Sequence, residues 1–202
     1  MPTPAFNFLT PPHWQDYELL DSGAGARLER FGPYTFVRPE HQAVWQRALP
    51  AARWEQAHAI FQTTNEESGG HWQLRQPIPS TWTMRYQGLA FQAAISHSRH
   101  LGVFPEQANH WDWMGQKLRQ AQRPLRVLNL FGYTGLATLA AAQAGAVVTH
   151  VDASKKAVAW ARQNQVLSNL LDRPIRWLVE DAEKFVKREV RRGAQYDGII
   201  KA

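Results

Sequence analysis

Three short stretches of the sequence combine residue types and spacing that suit one kind of chemistry, the holding of an adenosine-bearing group. Phe131-Gly132-Tyr133-Thr134-Gly135 sets two glycines three residues apart. Lacking Cβ atoms, they let the chain turn tightly and bring backbone N–H groups close to a ligand. A helix starting directly after them adds the unpaired N–H donors of its first turn. Asp152 stands 20 residues beyond Gly132, where a carboxylate can accept from both hydroxyls of a ribose. Asp181 follows a later apolar run in the same way and can accept from an exocyclic amine such as that of adenine. Each stretch also has a plainer reading. The glycines suit any strand-to-helix turn, and both aspartates suit helix caps, Asp152 close to Ser154.

For these residues to meet, they must sit at the tips of neighbouring strands, and the pattern from residue 106 onward supplies such strands. Ala108 to Gln120 is expected to be a helix, with Trp111, Met114 and Leu118 on one stripe. Strands are expected at 125–130, 147–151, 175–179 and 196–200. Helices should fill 136–144, 154–168 and 182–192, the last burying Ala182, Phe185, Val186 and Val190. Alternation with short loops implies a parallel sheet with right-handed crossovers. Ligands of such sheets bind at the carboxyl ends of the strands.

Residues 1–105 follow a different pattern, with alternating apolar positions and turn signals that indicate a small, mostly-β region. Strands are expected at Tyr17–Leu20, Arg27–Phe31, Tyr34–Val37, Trp54–Phe61, Trp82–Tyr86 and Leu89–Ser96. The last two form a hairpin across Gln87-Gly88. One short helix is expected between Pro39 and Pro50, and a polar loop over Thr63–Gly70. The tryptophans here are read as core rather than as base-stacking platforms.

Composition narrows the functional classes. The 202 residues carry a formal charge of +6 and no cysteine. The charge is compatible with a polyanionic partner such as RNA. The lack of cysteine rules out a disulfide framework and a thiol nucleophile within these residues. No apolar run approaches the roughly 18 residues of a membrane span, and Met1-Pro2-Thr3-Pro4 does not open like a signal peptide. A cytoplasmic location is therefore expected. No metal site is expected, since His97 and His100 stand without a pattern of carboxylates or thiols. The cations Lys184, Lys187, Arg188, Arg191 and Arg192 read as a solvated helix face rather than an RNA-binding one. Among adenosine cofactors, a nicotinamide dinucleotide would want G-x-G-x-x-G, whereas bulky Phe131 and Tyr133 flank Gly132. No P-loop motif occurs. S-adenosylmethionine fits these residues better.

Leu128-Asn129-Leu130-Phe131-Gly132-Tyr133-Thr134-Gly135, His150-Val151-Asp152-Ala153-Ser154-Lys155 and His100-Leu101-Gly102-Val103-Phe104-Pro105-Glu106-Gln107 together resemble class I methyltransferases related to ribosomal-RNA large-subunit cytosine-C5 methyltransferase I. The resemblance implies a Rossmann-like α/β sheet of four parallel strands in the order 3-2-1-4, preceded by the mostly-β region as a substrate-docking element. It implies S-adenosylmethionine held by Phe131, Gly132, Tyr133, Thr134 and Gly135 at its amino-acid end. Asp152 with Ala153 would bind the ribose, Asp181 with Ala182 the adenine, and Phe104 and Gln107 would add contacts. RNA, of the ribosomal type, is the implied substrate, with its base turned out of the stack.

The chain departs from that family at its end. The family's fourth strand runs into an Asp-Pro-Pro motif, whereas Ile199-Ile200 is followed only by Lys201-Ala202. No catalytic residue is therefore assigned. The covalent C5 mechanism lacks its cysteine here, and the chain is expected to be C-terminally truncated and inactive alone. The fourth strand would be an apolar edge open to self-association. The alternatives are a non-catalytic S-adenosylmethionine- or RNA-binding module and, less favoured, an NAD-dependent oxidoreductase.

Overall fold

The computed structural model describes residues 14–64 and 69–201. The Met1–Pro4 opening, the centre of the Thr63–Gly70 loop and Ala202 lie outside the described residues.

In the first region β1 (Tyr17–Gly23), β2 (Ala26–Phe31) and β3 (Tyr34–Pro39) form an antiparallel meander. A five-residue helix α1 (Ala51–Glu55) leads to β4 (Ala59–Thr63), which lies parallel to β3, and β5 (Gly70–Leu74) closes the five-stranded sheet. Two expectations are corrected. Trp54 does not open a strand: it is buried in α1, and its indole N–H donates to Asp21 at 3.0 Å. The short helix expected within 39–50 lies instead just after Pro50, because Asp21 also accepts from the backbone of Ala48 and Leu49 and ties that stretch down as turns. Strand β5 was not expected at all.

The hairpin of β6 (Thr81–Tyr86) and β7 (Leu89–Ala94) turns at Gln87-Gly88. Both turn residues have positive φ, 46° and 82°, as a two-residue hairpin turn of the mirror-image type requires.

A 3-10 turn over Pro105–Gln107 then leads into α2 (Ala108–Gln120). From there the chain alternates: β8 (Arg126–Leu130), α3 (Leu136–Gln143), β9 (Val147–Asp152), α4 (Lys155–Leu167), β10 (Ile175–Val179), α5 (Ala182–Arg191) and β11 (Gly198–Lys201). The four strands are parallel in the order β10-β9-β8-β11, the 3-2-1-4 arrangement. Among the described residues nothing pairs with the outer edge of β11, and Ile199 is 67% exposed. On α5 the expected burial of Val190 is corrected: it is 72% exposed, and Glu189 takes the inward position, where it accepts from the Tyr196 hydroxyl.

One core runs through both regions, from Phe31, Phe36 and Phe91 to Leu101, Trp111 and Leu139. Side chains of α4 secure the hairpin to the sheet region. Asn164 accepts from Gln92 N at 2.9 Å, the Ser168 hydroxyl donates to Ala90 O at 2.7 Å, and the Trp160 indole donates to Gln92 O at 3.1 Å. Among the described residues no helix is long and apolar enough to cross a membrane.

Candidate cofactor site

Parallel pairing brings the tips of β8, β9 and β10 side by side. Leu130 faces Val151, and Asp152 faces Val179. The β8–α3 turn therefore stands beside Asp152, and Asp181 begins α5 two residues past the end of β10.

That turn is wound by alternating handedness. Phe131, Tyr133 and Gly135 have φ of 56°, 47° and 83°, while Gly132 and Thr134 between them do not have positive φ. Such alternation gathers successive N–H groups into an anion-binding concavity. Positive φ at two bulky residues is backbone strain of a kind that clusters at ligand sites. Two glycines are fixed by space. A Cβ on Gly132 would come within 2.3 Å of the His150 ring, and one on Gly135 within 2.7 Å of Ala161 Cβ.

The Asp152 carboxylate is held at both oxygens. Oδ2 accepts from Tyr133 N at 2.9 Å and Oδ1 from Ser154 N at 2.8 Å. It is not the cap of α4; Ser154 is, accepting from Ala157 N at 3.2 Å. Each carboxylate oxygen keeps further acceptor capacity for hydroxyl donors. Asp181 does cap its helix: Oδ1 accepts from Lys184 N at 2.9 Å.

The remaining expected residues surround this turn. Tyr133 packs against Phe104 (centroids 5.5 Å apart) and Trp160 (6.3 Å). Burial first, then the Asp152 charge, pushes its phenol upward. Thr134 is buried, its hydroxyl donating to Gly102 O at 2.6 Å, and so fastens the turn to the segment before α2. Gln107 is half-buried against His110 (2.9 Å), Phe131 is 51% exposed, Ala153 is exposed and Ala182 is buried.

Two features at the site were not expected from the sequence. A cavity of about 430 Å³ lies between α2 and strands β8 and β11, its lining including Phe104, Gln107 and Gly132 as well as Met114, Val127 and Ile200. Only the packing of α2 over the sheet creates it, so no local signal announces it. The second is a fully buried polar chain beneath the turn. Asn129 Nδ2 donates to Thr138 Oγ1 at 2.8 Å, and Thr138 Oγ1 lies 2.9 Å from His150 Nδ1. Burial pulls the His150 pKa down to about 4, against the opposing charge of Asp152. The sequence signals of this polar chain are two polar residues in mostly apolar strands, Asn129 in β8 and His150 in β9.

The basic cluster on α5 is largely paired. Arg188 bonds Glu180 through two nitrogens, Lys187 meets Glu183, and Arg192 meets Glu189. Among the described residues no group of three or more His, Asp or Glu could hold a metal ion.

The class defined by this arrangement is an α/β domain with the S-adenosylmethionine-dependent methyltransferase fold, preceded by a mostly-β region. The chain is similar to the solved SAM-dependent methyltransferase from Agrobacterium tumefaciens, with 50% identity and a TM-score of 0.87 over 92% of this chain and 59% of that one. A solved structure described as a methyltransferase complexed with SAH matches with 18% identity and a TM-score of 0.67, over 91% of this chain and 50% of that one. In sequence, the chain is 32% identical over 158 residues to the ribosomal RNA large subunit methyltransferase K/L of Shewanella sp. (strain ANA-3), covering 76% of this chain but 22% of that protein. The chain thus spans about a fifth of that relative and three fifths of the Agrobacterium structure. No family model matches the sequence.

Proposed function

We propose that this chain is the cofactor-binding part of an S-adenosylmethionine-dependent methyltransferase that acts on RNA. The observation carrying the proposal is the Asp152 carboxylate, fixed by the N–H groups of Tyr133 and Ser154 beside the glycine turn at 2.9 and 2.8 Å. The residues fit the cofactor. Positive-φ backbone and two glycines without room for a Cβ make a cradle, and the Asp152 carboxylate stands one strand away. Phe131, Gly132, Tyr133, Thr134 and Gly135 hold the amino-acid end. Asp152 with Ala153 orients the ribose, and Asp181 with Ala182 meets the adenine. Phe104 and Gln107 close the side toward α2.

The bound cofactor supplies a methyl group on an electrophilic sulfonium. The contribution of these residues is to orient it and keep water away, with Tyr133 packed against two aromatic rings. The 202 residues hold neither a cysteine nor an Asp-Pro-Pro sequence, and no group that acts on the base is assigned among them.

RNA as substrate is supported by the +6 charge and by the similarity to the ribosomal RNA large subunit methyltransferase K/L of Shewanella. A base of the ribosomal, cytosine-C5 type and a cytoplasmic setting belong to the same proposal. So do the division into a docking region over 1–105 and a cofactor region over 106–202, and association through the free edge of β11.

Calorimetric titration with S-adenosylhomocysteine tests the core of the proposal. Saturable binding is expected in the wild type, weakened about tenfold or more in Asp152→Ala by loss of a charge-assisted hydrogen bond. Absence of wild-type binding, or equal affinity in the variant, refutes it.

A further inference from the structure

The polar chain under the glycine turn is joined end to end, yet each end is left open. Asn129 and His150 are cross-strand neighbours in register, both with 0% exposure, and both reach Thr138 on α3. Asn129 Oδ1 and His150 Nε2 have no hydrogen-bond partner. The direction of the chain does not change this. If the Asn129 amide donates to Thr138 and the hydroxyl donates on to Nδ1, a carbonyl acceptor and an Nε2–H donor are left over. If His150 Nδ1–H donates first and the Asn129 amide is turned over, an Nε2 lone pair and an amide N–H are left over. Either way a buried donor and a buried acceptor are unsatisfied, an arrangement that costs stability on the order of 1–3 kcal/mol per group. A core built for stability alone would place an apolar ring here.

The position of the ring gives the arrangement a use. His150 lies directly against Gly132, near enough that any Cβ there would collide with it. The ring also meets Trp177, with centroids 4.6 Å apart and planes tilted by 56°. Gly132, Trp177 and the Thr138 hydroxyl thus all contact the ring, the last by a hydrogen bond to Nδ1 that orients it.

We propose that His150 is a positioning residue for the β8–α3 turn: braced by Thr138, its imidazole sets the placement of Gly132 and, through it, of the Tyr133 N–H that holds Asp152. The proposal rests on reading this turn as the cofactor site, and its test is chosen to separate the two.

Thr138→Val keeps the volume of the side chain, leaves His150 and Gly132 untouched, and removes the brace together with the acceptor of the Asn129 amide. If His150 merely fills space, this change moves nothing at the turn. The expected result is a folded protein in which the backbone amide resonances of Gly132 and Tyr133 shift. S-adenosylhomocysteine affinity should fall about 3- to 10-fold, the ratio matching one ordinary hydrogen bond. His150→Phe should do the same, and the double variant should lose no more than the larger single, because both changes break one unit. Unshifted amides with wild-type affinity in Thr138→Val overturn the proposal, as do additive losses in the double variant. If the wild type binds no S-adenosylhomocysteine, the cofactor reading fails and the amide shifts alone decide this inference. Should Thr138→Val not fold, Thr138→Ser retains the hydroxyl and Thr138→Ala removes it, and the same readouts on that pair settle the matter.

Discussion

The two regions of the molecule are held in place by different means. From residue 106 onward, position is set locally: each strand ends, the chain turns, and the residue after the strand arrives at the same edge of the sheet as its predecessors. In the first region, position is set by side chains that reach far along the chain. Asp21 accepts from Ala48, Leu49 and the Trp54 indole, 27 to 33 residues away. Arg38 is buried against an equally buried Glu29 through two bonds of 2.7 Å, and Glu29 also accepts from the Tyr17 hydroxyl. The difference teaches that a repeating β–α unit places its functional residues by local rules, whereas an aromatic-rich β region needs specific buried polar links to choose one arrangement.

The largest test of that contrast falls on the first region. Glu29→Ala strands the guanidinium of Arg38 in the core, and removal of one partner from a buried pair costs about 3–5 kcal/mol. Urea unfolding should show a loss of this size. Replacing both residues with Met should recover most of it, since an apolar pair of similar volume carries no stranded charge. A loss under about 1 kcal/mol for Glu29→Ala would show that the network is not what fixes this region.

The contrast also explains what could be read from the sequence. Helix α2 and strand β10 have the bounds that periodicity indicates, and the other elements after residue 106 differ from expectation by one or two residues at an end. The placements of Gly132, Asp152 and Asp181 followed from that alternation. β-propensity, a local quantity, places Trp54 in a strand, while its helix depends on Pro50 and on a distant carboxylate. Val190 fits the apolar period of α5, yet nothing among the described residues covers it, so periodicity alone could not show its exposure. The cavity under α2 and the Asn129–Thr138–His150 chain arise only once α2 and α3 pack on the sheet.

A second test acts on both regions at once through acid. His100 and His150 are each held at about 4, below the ordinary 6.5. Burial is the main cause for both, with Arg38, Arg99 and Arg27 adding to it at His100. A lowered histidine pKa means the unfolded chain binds the proton more tightly. The stability from keeping each ring neutral is therefore full above about pH 6.5 and is lost progressively as pH falls toward 4. For fully buried His150 a shift of this size corresponds to roughly 3 kcal/mol. The carboxylates with lowered pKa values, Asp21, Asp197 and Glu189, act only below their ordinary values of 3.8 to 4.5. The window between pH 6.5 and 4.5 thus isolates the histidines. Unfolding free energy should drop across it, and His150→Gln should flatten the slope. A flat wild-type profile would contradict the buried neutral state.

The smallest effect sharpens the contrast most, because it separates local structure from ligand chemistry at a single residue. Asp181 caps α5 through one oxygen while standing where the proposed adenine would lie. Asp181→Ala removes the cap and should lower stability by about 1 kcal/mol, whereas Asp181→Asn, an equally good cap, should change it by no more than a few tenths. If the residue only caps, both variants bind S-adenosylhomocysteine like the wild type once folded. If it also meets the exocyclic amine, Asp181→Asn weakens binding without destabilising the protein, since a neutral amide accepts more weakly than a carboxylate. Equal affinity in wild type and Asp181→Asn would leave this strand tip with a structural role alone, placed by the same local rule that put it beside Asp152.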